Sequence, residues 1–197
     1  MDVFRLSFTL IFLSAVAMSG FFRSRARRSG AIARRREGGR MLFLRLLFAV
    51  PFFLAMVAYG VNPRWMDWSA LPLPQAVRWA GVAIGLATLP LLYWVLRSLG
   101  RNISETVLTK DDHQLVTHGP YRWVRHPLYT AATIAFLALG LVAANAFLLV
   151  MGVVIFAAMA LLVVPKEEAQ LTKKFGEAYA GYQRQTGALL PRLTARN

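Results

Sequence analysis

The chain contains no cysteine, and acidic residues are scarce among its 197 residues. Without thiols it can form no disulfide, no thiolate metal site and no cysteine nucleophile. Nine Asp and Glu residues stand against 23 Lys and Arg residues, which gives a formal net charge of +14. The three histidines, His113, His118 and His126, are five and eight residues apart. These separations match neither a helical i, i+4 pair nor a finger spacing, so the sequence gives a zinc site little support.

Charged residues are also few overall, and the apolar residues are gathered into long runs. The chain is 57% hydrophobic and 16% charged, whereas ordinary soluble domains are about 45–50% apolar and about 25% charged. The apolar runs cover residues 1–22, 41–61, 76–96, 128–146 and 147–165. As helices, each is about long enough to cross a hydrocarbon core of about 30 Å. The sequence therefore predicts an all-α, polytopic membrane protein with about five transmembrane helices in a single domain, residues 1–197.

Two of these runs admit another interpretation. Run 1–22 contains Ala15-Val-Ala17, which resembles a signal-peptide cleavage site, but its positive charge follows the apolar stretch instead of preceding it. The runs 128–146 and 147–165 could together form one bent re-entrant element. Asn145, flanked by alanines, is the only polar residue between them and marks the turn of a tight hairpin. We therefore expect a retained first span and a hairpin formed by the last two.

An arginine-rich segment separates the first two runs. Eight arginines lie between Arg23 and Arg40, against the single acid Glu37. Such a segment could bind nucleic acid. Between two membrane spans, a short cytoplasmic loop that attracts anionic lipids is the favoured interpretation. This rule places the amino terminus and residues 62–75 outside, and residues 23–40, 97–127 and the carboxyl-terminal tail in the cytoplasm.

The tail after the fifth run has a helical pattern. Leu171, Phe175, Tyr179 and Tyr182 recur at steps of three and four residues, which predicts one amphipathic helix over residues 166–185. Gly187 and Pro191 follow and would end the helix. Its apolar stripe is suited to packing on the membrane face.

Polar residues are concentrated just before the fourth run. Pro127 is expected to begin this helix, because a missing N–H costs nothing in the first turn. The free N–H groups and the positive dipole end of a helix attract anions, and Arg122 and Arg125 add guanidinium groups that suit carboxylate or phosphate. This foot of the helix therefore predicts a site for a small anionic group. Contact of the two arginines with lipid phosphates alone is the alternative.

Two adjacent acids, Glu167 and Glu168, directly follow the fifth run. If the last two runs form a hairpin, these acids face His126 and Pro127 at about one helix diameter, near ~10 Å. A zwitterion could lie between the positive foot and the acids, and carboxylates could also accept hydrogen bonds from ribose hydroxyls. Alternatively, the two acids only mark a helix start, where negative charge is favourable.

The two polar blocks together resemble a known family. The pattern H-x-L-V-T-x-G-x-Y-x-W-x-R-H-P-x-Y from His113 to Tyr129, followed by E-E-x-x-L-x-x-x-F-G-x-x-Y-x-x-Y from Glu167 to Tyr182, closely resembles the isoprenylcysteine carboxyl methyltransferase family. The resemblance covers residues 97–191, and the first two spans are compatible with it. It implies an integral membrane enzyme that uses S-adenosyl-L-methionine, with residues 1–96 as three spans and residues 97–197 as the cofactor-binding catalytic core. One departure is Val163, where family members often carry arginine.

The resemblance also implies site residues. The expected cofactor-binding residues are His113, Leu115, Val116, Gly119, Tyr121, Arg125, His126, Pro127, Tyr129, Glu167 and Glu168. Arg97 and Arg122 are the expected catalytic residues. Arg97 would orient an anionic acceptor for in-line methyl transfer, and Arg122 or Arg125 would secure the charge of the cofactor or the substrate. The expected acceptor is lipophilic, either a small molecule or a lipidated substrate such as an isoprenylcysteine carboxylate. Transfer to phospholipid nitrogen or to a small thiol, and a non-enzymatic basic scaffold, are the alternatives; no glycine-rich fingerprint supports a nicotinamide-dependent reductase.

Overall fold

The fold is a bundle of antiparallel helices, seen in a computed structural model that describes residues 2–27, 39–100 and 115–192. Within these residues the only strand-like features are two isolated bridges, and the rest of the regular structure is helical. The helices are α1 (Val3–Arg27), α2 (Gly39–Val61), α3 (Gln75–Leu99), α4 (Pro127–Ala143), α5 (Ala146–Ala158), α6 (Val164–Phe175) and α7 (Glu177–Gln185), with 3-10 turns at Pro63–Ser69 and Gly119–Arg122 and a π turn at Met159–Val163. The prediction of an all-α membrane fold is confirmed.

All five apolar runs are helical, but they differ in length. Three helices are long and apolar enough to cross a membrane, namely Val3–Ala26, Gln75–Leu99 and Ala146–Phe175. Two apolar helices are shorter, Leu46–Val61 and Pro127–Ala143. At a rise of about 1.5 Å per residue, 17 residues of α4 extend about 25 Å, slightly less than the hydrocarbon core. A count of five complete crossings stays a prediction.

Glycines set the closest contacts of α3. A Cβ at Gly81 would lie 2.9 Å from the Ala138 carbonyl oxygen and 2.9 Å from Leu141 Cβ, both on α4. A Cβ at Gly85 would lie 2.9 Å from Ile11 Cδ1 on α1. Small residues four apart let membrane helices approach closely, so α3 packs tightly between α4 and α1. This pair of glycines was not recognised in the sequence.

One end of the bundle, here called the loop end, holds residues 62–74 and the α4–α5 turn. Asn145 is buried there, caps α5 by accepting from the Leu148 amide at 3.1 Å, and donates to the Met66 carbonyl and the Ser69 hydroxyl at 3.0 and 2.7 Å. Ala144 takes the left-handed conformation, φ 48°, that reverses the chain. The predicted hairpin turn at Asn145 is thus confirmed.

Arginines also close helix ends at the loop end. Arg5 on α1 donates to the carbonyls of Gly60 and Val61 at the end of α2. Arg78 on α3 donates to the Val142 carbonyl at the end of α4, at 3.0 Å. The amino terminus therefore lies at the same end as residues 62–74, and Ala26, at the other end of α1, packs with Leu96. This agrees with the predicted up-and-down order of the spans.

The helix of the fifth run continues beyond the predicted end. The sequence predicted a span ending at Pro165 and a separate helix over residues 166–185. In the structure, helix continues from Ala146 to Phe175 and breaks at Gly176, whose φ is 53°. Pro165 is tolerated because it follows a widened π turn, in which the Val164 amide donates to the Met159 carbonyl. The prediction of one continuous tail helix was therefore wrong: Gly176 divides it into α6 and α7.

Candidate functional site

The start of α4 and the start of α6 meet at the end of the bundle opposite the loop end, here called the site end. His126 precedes Pro127, which begins α4 as expected, and Glu167 and Glu168 lie in the first turns of α6. The sequence predicted a gap of about 10 Å between the two feet, open to a zwitterion. The described side chains instead close this gap and touch directly. The positive and negative groups are brought together as predicted, but without an open space between them.

His126 lies between the two glutamates, which we call the glutamate pair. Its Nδ1 is 3.4 Å from Glu167 Oε2, and its Nε2 is 3.3 Å from Glu168 Oε1. The ring is buried, and burial alone would lower its pKa. The hydrogen bonds and charges of the glutamate pair outweigh that effect and raise the pKa of His126 above 6.5. The glutamate pair thus favours the protonated, cationic form of the imidazole.

Arg125 forms the second link between the two feet. Its Nε donates to Glu168 Oε1 at 2.8 Å, and its Nη1 donates to the backbone carbonyls of Gln183 and Thr186. The side chain of Arg125 is largely buried. Contact with lipid phosphates alone is therefore the wrong interpretation for Arg125, because its guanidinium binds within the protein.

Tyrosines and a glutamine complete the cluster. The Tyr129 hydroxyl donates to Glu167 Oε1 at 2.5 Å, and the rings of Tyr129 and His126 stack with centroids 5.8 Å apart. Gln183 on α7 donates to Glu168 Oε2 at 3.1 Å. Every oxygen of the glutamate pair therefore has a contact in this state. Gln183 was missed in the sequence, because no local pattern indicated that α7 folds back onto α6.

The tail that follows α7 is tied to the start of α4. The amides of Arg125 and His126 donate to the carbonyls of Gly187 and Ala188, both at 2.9 Å. The Thr130 hydroxyl donates to the Leu189 carbonyl at 2.7 Å. We call residues 186–189 the tail strap. The sequence suggested only that Gly187 ends a helix and gave no sign of this pairing.

Gly187 is required in the tail strap by space. A Cβ at this position would lie 1.8 Å from the Leu190 carbonyl oxygen. No side chain fits without moving the backbone.

The tail strap also bonds amides near the expected anion site. The sequence predicted free N–H groups at the start of α4, yet the amides of Arg125 and His126 are bonded to the tail strap. The amides of Tyr129 and Thr130 donate to the His126 carbonyl at 3.2 and 3.4 Å. These four amides are therefore satisfied by the chain itself, and an anion site at the start of α4 stays a prediction.

Tyr121 fastens the preceding 3-10 turn to α7. Its ring is buried, and its carbonyl accepts the Tyr182 hydroxyl at 2.5 Å. Burial raises the pKa of Tyr182 to about 12 and that of Tyr121 well above its usual range. Both phenols are therefore neutral at physiological pH, and their role in this state is structural.

The two arginines expected near the acceptor lie at the site end but outside the cluster. Arg97 is exposed in the last turn of α3. Arg122 is exposed and its Cζ lies 4.0 Å from the centroid of the Trp123 ring, which in turn meets the Trp94 ring edge-on at 5.7 Å. Neither arginine forms a hydrogen bond or ion pair with the residues that the structure describes. They are available to a further partner.

The remaining expected residues differ in their positions. Gly119 takes a positive φ of 60°, and a Cβ there would lie 2.6 Å from Ser98 Oγ, so glycine lets this loop approach α3. Leu115 and Val116 are half-buried and outside regular structure, and His113 lies outside the described residues. In the described part of the chain, no group of three His, Asp or Glu residues is arranged to hold a metal ion.

Comparison with known proteins extends the resemblance. Residues 81–173 match the model of the isoprenylcysteine carboxyl methyltransferase (ICMT) family. The chain is 33% identical over 145 residues to the cobalt-zinc-cadmium resistance protein CzcN of Cupriavidus metallidurans, covering 74% of this chain and 61% of that protein. It is 32% identical over 113 residues to the nickel-cobalt-cadmium resistance protein NccN of Alcaligenes xylosoxydans xylosoxydans, covering 57% of this chain and 48% of that protein. The chain thus spans about half to three fifths of these relatives.

The fold has a counterpart among solved structures. The eukaryotic intramembrane Ras methyltransferase ICMT superposes with a TM-score of 0.55 at 20% identity, covering 94% of this chain and 67% of that one. At this identity the likeness concerns the fold. Together with the long apolar helices, it makes the chain an integral membrane protein. The matched residues 81–173 include most of α3, all of α4 and the glutamate pair, so the part of the chain that forms the site is similar to the isoprenylcysteine carboxyl methyltransferase family.

Proposed function

We propose that this protein is a membrane methyltransferase that moves a methyl group from S-adenosyl-L-methionine to a lipophilic acceptor, such as an isoprenylcysteine-like carboxylate. The observation that carries the proposal is the direct contact of Arg125 and His126 with the glutamate pair. It unites, at one end of the bundle, the two sequence blocks that the family shares.

The chemical character of this cluster fits the cofactor. Two carboxylates face one permanent cation, Arg125, so the cluster is anionic whenever His126 is neutral. The side chains of Glu167 and Glu168 keep 21% and 18% of their exposure, so a ligand can reach them. S-adenosyl-L-methionine carries a sulfonium, an ammonium and a carboxylate, with a net positive charge, and its ribose offers hydroxyl donors. Glu167 and Glu168 would accept from the ammonium or the ribose, and Arg125 would face the carboxylate.

The chemistry supplied by a bound cofactor is an electrophilic methyl group on a positive sulfur. The residues of this chain have to align the acceptor and exclude water, because an ionised carboxylate needs no base to act as the nucleophile. Arg97 and Arg122 are exposed cations beside this site and would orient the acceptor carboxylate. Trp94 and Trp123 lie next to Arg122 and would contact the apolar part of the acceptor.

The orientation and the membrane partners belong to the same proposal. The basic residues Lys173, Lys174, Arg184 and Arg192 follow the glutamate pair in the chain, and Lys166 directly precedes it. By the positive-inside rule, the site end and the tail would face the cytoplasm, where the soluble cofactor is present. The arginine-rich segment 23–40, much of which lies outside the described residues, would contact anionic lipids on that side.

The experiment is transfer of label from methyl-labelled S-adenosyl-L-methionine to lipid extracts by membranes that contain the protein. Label released as methanol by mild base indicates a methyl ester; base-stable label indicates a nitrogen or sulfur acceptor. Glu168→Ala should abolish transfer, whereas Glu177→Ala, at an exposed position beyond Gly176, should retain it. Absence of both transfer and cofactor binding in the unmodified protein would favour the scaffold alternative.

A further inference from the structure

Both ring nitrogens of His126 face carboxylate oxygens of the glutamate pair. Nδ1 lies 3.4 Å from Glu167 Oε2, and Nε2 lies 3.3 Å from Glu168 Oε1. A neutral imidazole carries a single N–H, and an ionised carboxylate can only accept hydrogen bonds. In the neutral ring, one nitrogen lone pair would therefore point at a negatively charged oxygen. Both contacts are favourable only when the ring is protonated, so the geometry itself indicates a positive charge on His126 in the ligand-free protein.

The glutamate pair is the source of negative charge around His126. The Tyr129 ring stacks on the imidazole, and its hydroxyl donates to the glutamate pair. From α7, Gln183 donates to the same pair, and Tyr179, whose pKa is raised by burial, stays neutral near it. The tail strap bonds the His126 amide and carries no ionisable side chain. Arg125 is the neighbouring cation and is also bonded to the glutamate pair. Two carboxylates are thus shared by two cations.

The charge of His126 depends on continued contact with these carboxylates. Burial lowers the pKa of the ring, whereas the hydrogen bonds and charges of the glutamate pair raise it above 6.5. If another cation takes the carboxylates, their effect on the ring weakens while the effect of burial remains. The pKa of His126 should then fall below its ordinary value of about 6.5, and the ring should become neutral.

We propose that a ligand with a positive group binds to the glutamate pair in exchange for the proton of His126. The inference rests on the proposed function, in which the positive group is the ammonium of S-adenosyl-L-methionine, and it adds that binding is coupled to loss of a proton. One N–H bond of the imidazolium breaks, the proton passes to water, and the ammonium donates to Glu167 or Glu168. Arg125 cannot take part in this exchange, because a guanidinium does not lose its proton in proteins.

The exposure of the glutamate pair makes the exchange possible at a buried ring. The side chain of His126 is 6% exposed, whereas those of Glu167 and Glu168 are 21% and 18% exposed. The ligand and the departing proton can therefore both pass by way of the carboxylates. In the ligand-free protein, His126 takes the place of the positive charge that the ligand brings.

The exchange determines the sign of the pH dependence of binding. Binding that releases a proton becomes tighter as the pH rises, by about tenfold per pH unit at most. The effect is confined to pH values between the pKa of His126 in the bound protein and that in the free protein. Because the free value lies above 6.5 and the bound value should lie below it, the proton should be released at about pH 6.5.

Calorimetric titration of the purified full-length protein with S-adenosylhomocysteine, which keeps the ammonium, tests the exchange. The heat of binding at about pH 6.5, measured in buffers of different ionisation enthalpy, gives the number of protons released. The unmodified protein should release about one proton per ligand. His126→Gln should release none, and its affinity should stay constant between about pH 6 and about pH 7.5. His118→Gln, at an exposed histidine, is the matched control and should release as many protons as the unmodified protein.

A second measurement does not depend on how well the His126 variant folds or binds. In unmodified protein labelled with 15N-histidine, saturation with S-adenosylhomocysteine at about pH 6.5 should change one of the three imidazoles from the doubly to the singly protonated form. Binding without proton release and without this change would overturn the inference, and so would undiminished release by His126→Gln. If the unmodified protein binds no S-adenosylhomocysteine at any pH, the proposed function itself fails.

Discussion

Removal of the Glu168 carboxylate should destabilise the ligand-free protein strongly. This carboxylate accepts from Arg125 at 2.8 Å and from Gln183 at 3.1 Å, and lies 3.3 Å from His126 Nε2. Glu168→Ala leaves the largely buried guanidinium and imidazole without this acceptor. Loss of one partner of a buried ion pair costs about 3–5 kcal/mol. Since the Glu168 side chain retains 18% exposure, we expect the lower value, about 3 kcal/mol.

Thermal unfolding in detergent measures this effect. For a protein of about 150–250 residues, each kcal/mol shifts Tm by about 2–4 °C, so Glu168→Ala should lower Tm by about 6–12 °C. Glu177→Ala removes an exposed carboxylate from the next helix and should shift Tm by about 2 °C or less. If the two variants unfold at the same temperature, the cluster does not join the tail to α4, and the physical basis of the site is refuted.

Three further predictions concern the tail strap, protonation and topology. Gly187→Ala forces a Cβ against the backbone and should lower Tm and expose the tail to protease, whereas Gly181→Ala, whose nearest contact is 3.8 Å away, should leave both unchanged. The raised pKa of His126 means that its stabilising charge is present below about pH 6.5 and lost as pH rises through the higher folded pKa. The Tm difference between the unmodified protein and His126→Gln should therefore shrink as the pH is raised above about 6.5. Because the chain has no cysteine, Arg64→Cys should react with an impermeant maleimide on intact cells, and Arg192→Cys only after permeabilisation.

The architecture was largely predictable because helices buried in a bilayer need long runs of apolar residues, which can be seen directly in the sequence. Five apolar runs became helices, and the single polar residue between the last two, Asn145, became the buried turn. The position of Pro127 at the start of α4 was also predictable, because proline lacks the N–H that the first turn of a helix leaves unbonded. The break at Gly176 was missed because the apolar stripe continues across it. A stripe reports one face of a helix, and a positive φ at one glycine redirects the chain without interrupting the pattern.

The site was predictable in its members more than in its contacts. The predicted hairpin of the last two runs was enough to place Arg125, His126 and the glutamate pair at the same end of the bundle. The tail strap was not predictable, because its bonds use the backbone carbonyls of Gly187 and Ala188. Every residue has such a carbonyl, so the residue types do not indicate which carbonyls are bonded. The same limit explains why the bonds of the Arg125 and His126 amides were not predicted. Sequence reports donors and acceptors on side chains, whereas the backbone's partners are decided by tertiary contacts.

Two consecutive glutamates of one helix can both contact the same imidazole only if the ring has a particular orientation. Successive residues of a helix project about 100° apart, so the ring must lie edge-on between them, as His126 does with Nδ1 toward Glu167 and Nε2 toward Glu168. Without ligand, two half-buried carboxylates need nearby positive charge, since unpaired buried charge is costly. His126 and Arg125 provide that charge. A ligand with its own positive groups can take over the carboxylates and release His126 from that role, so the contacts that stabilise the ligand-free protein are the ones that a cationic cofactor would replace.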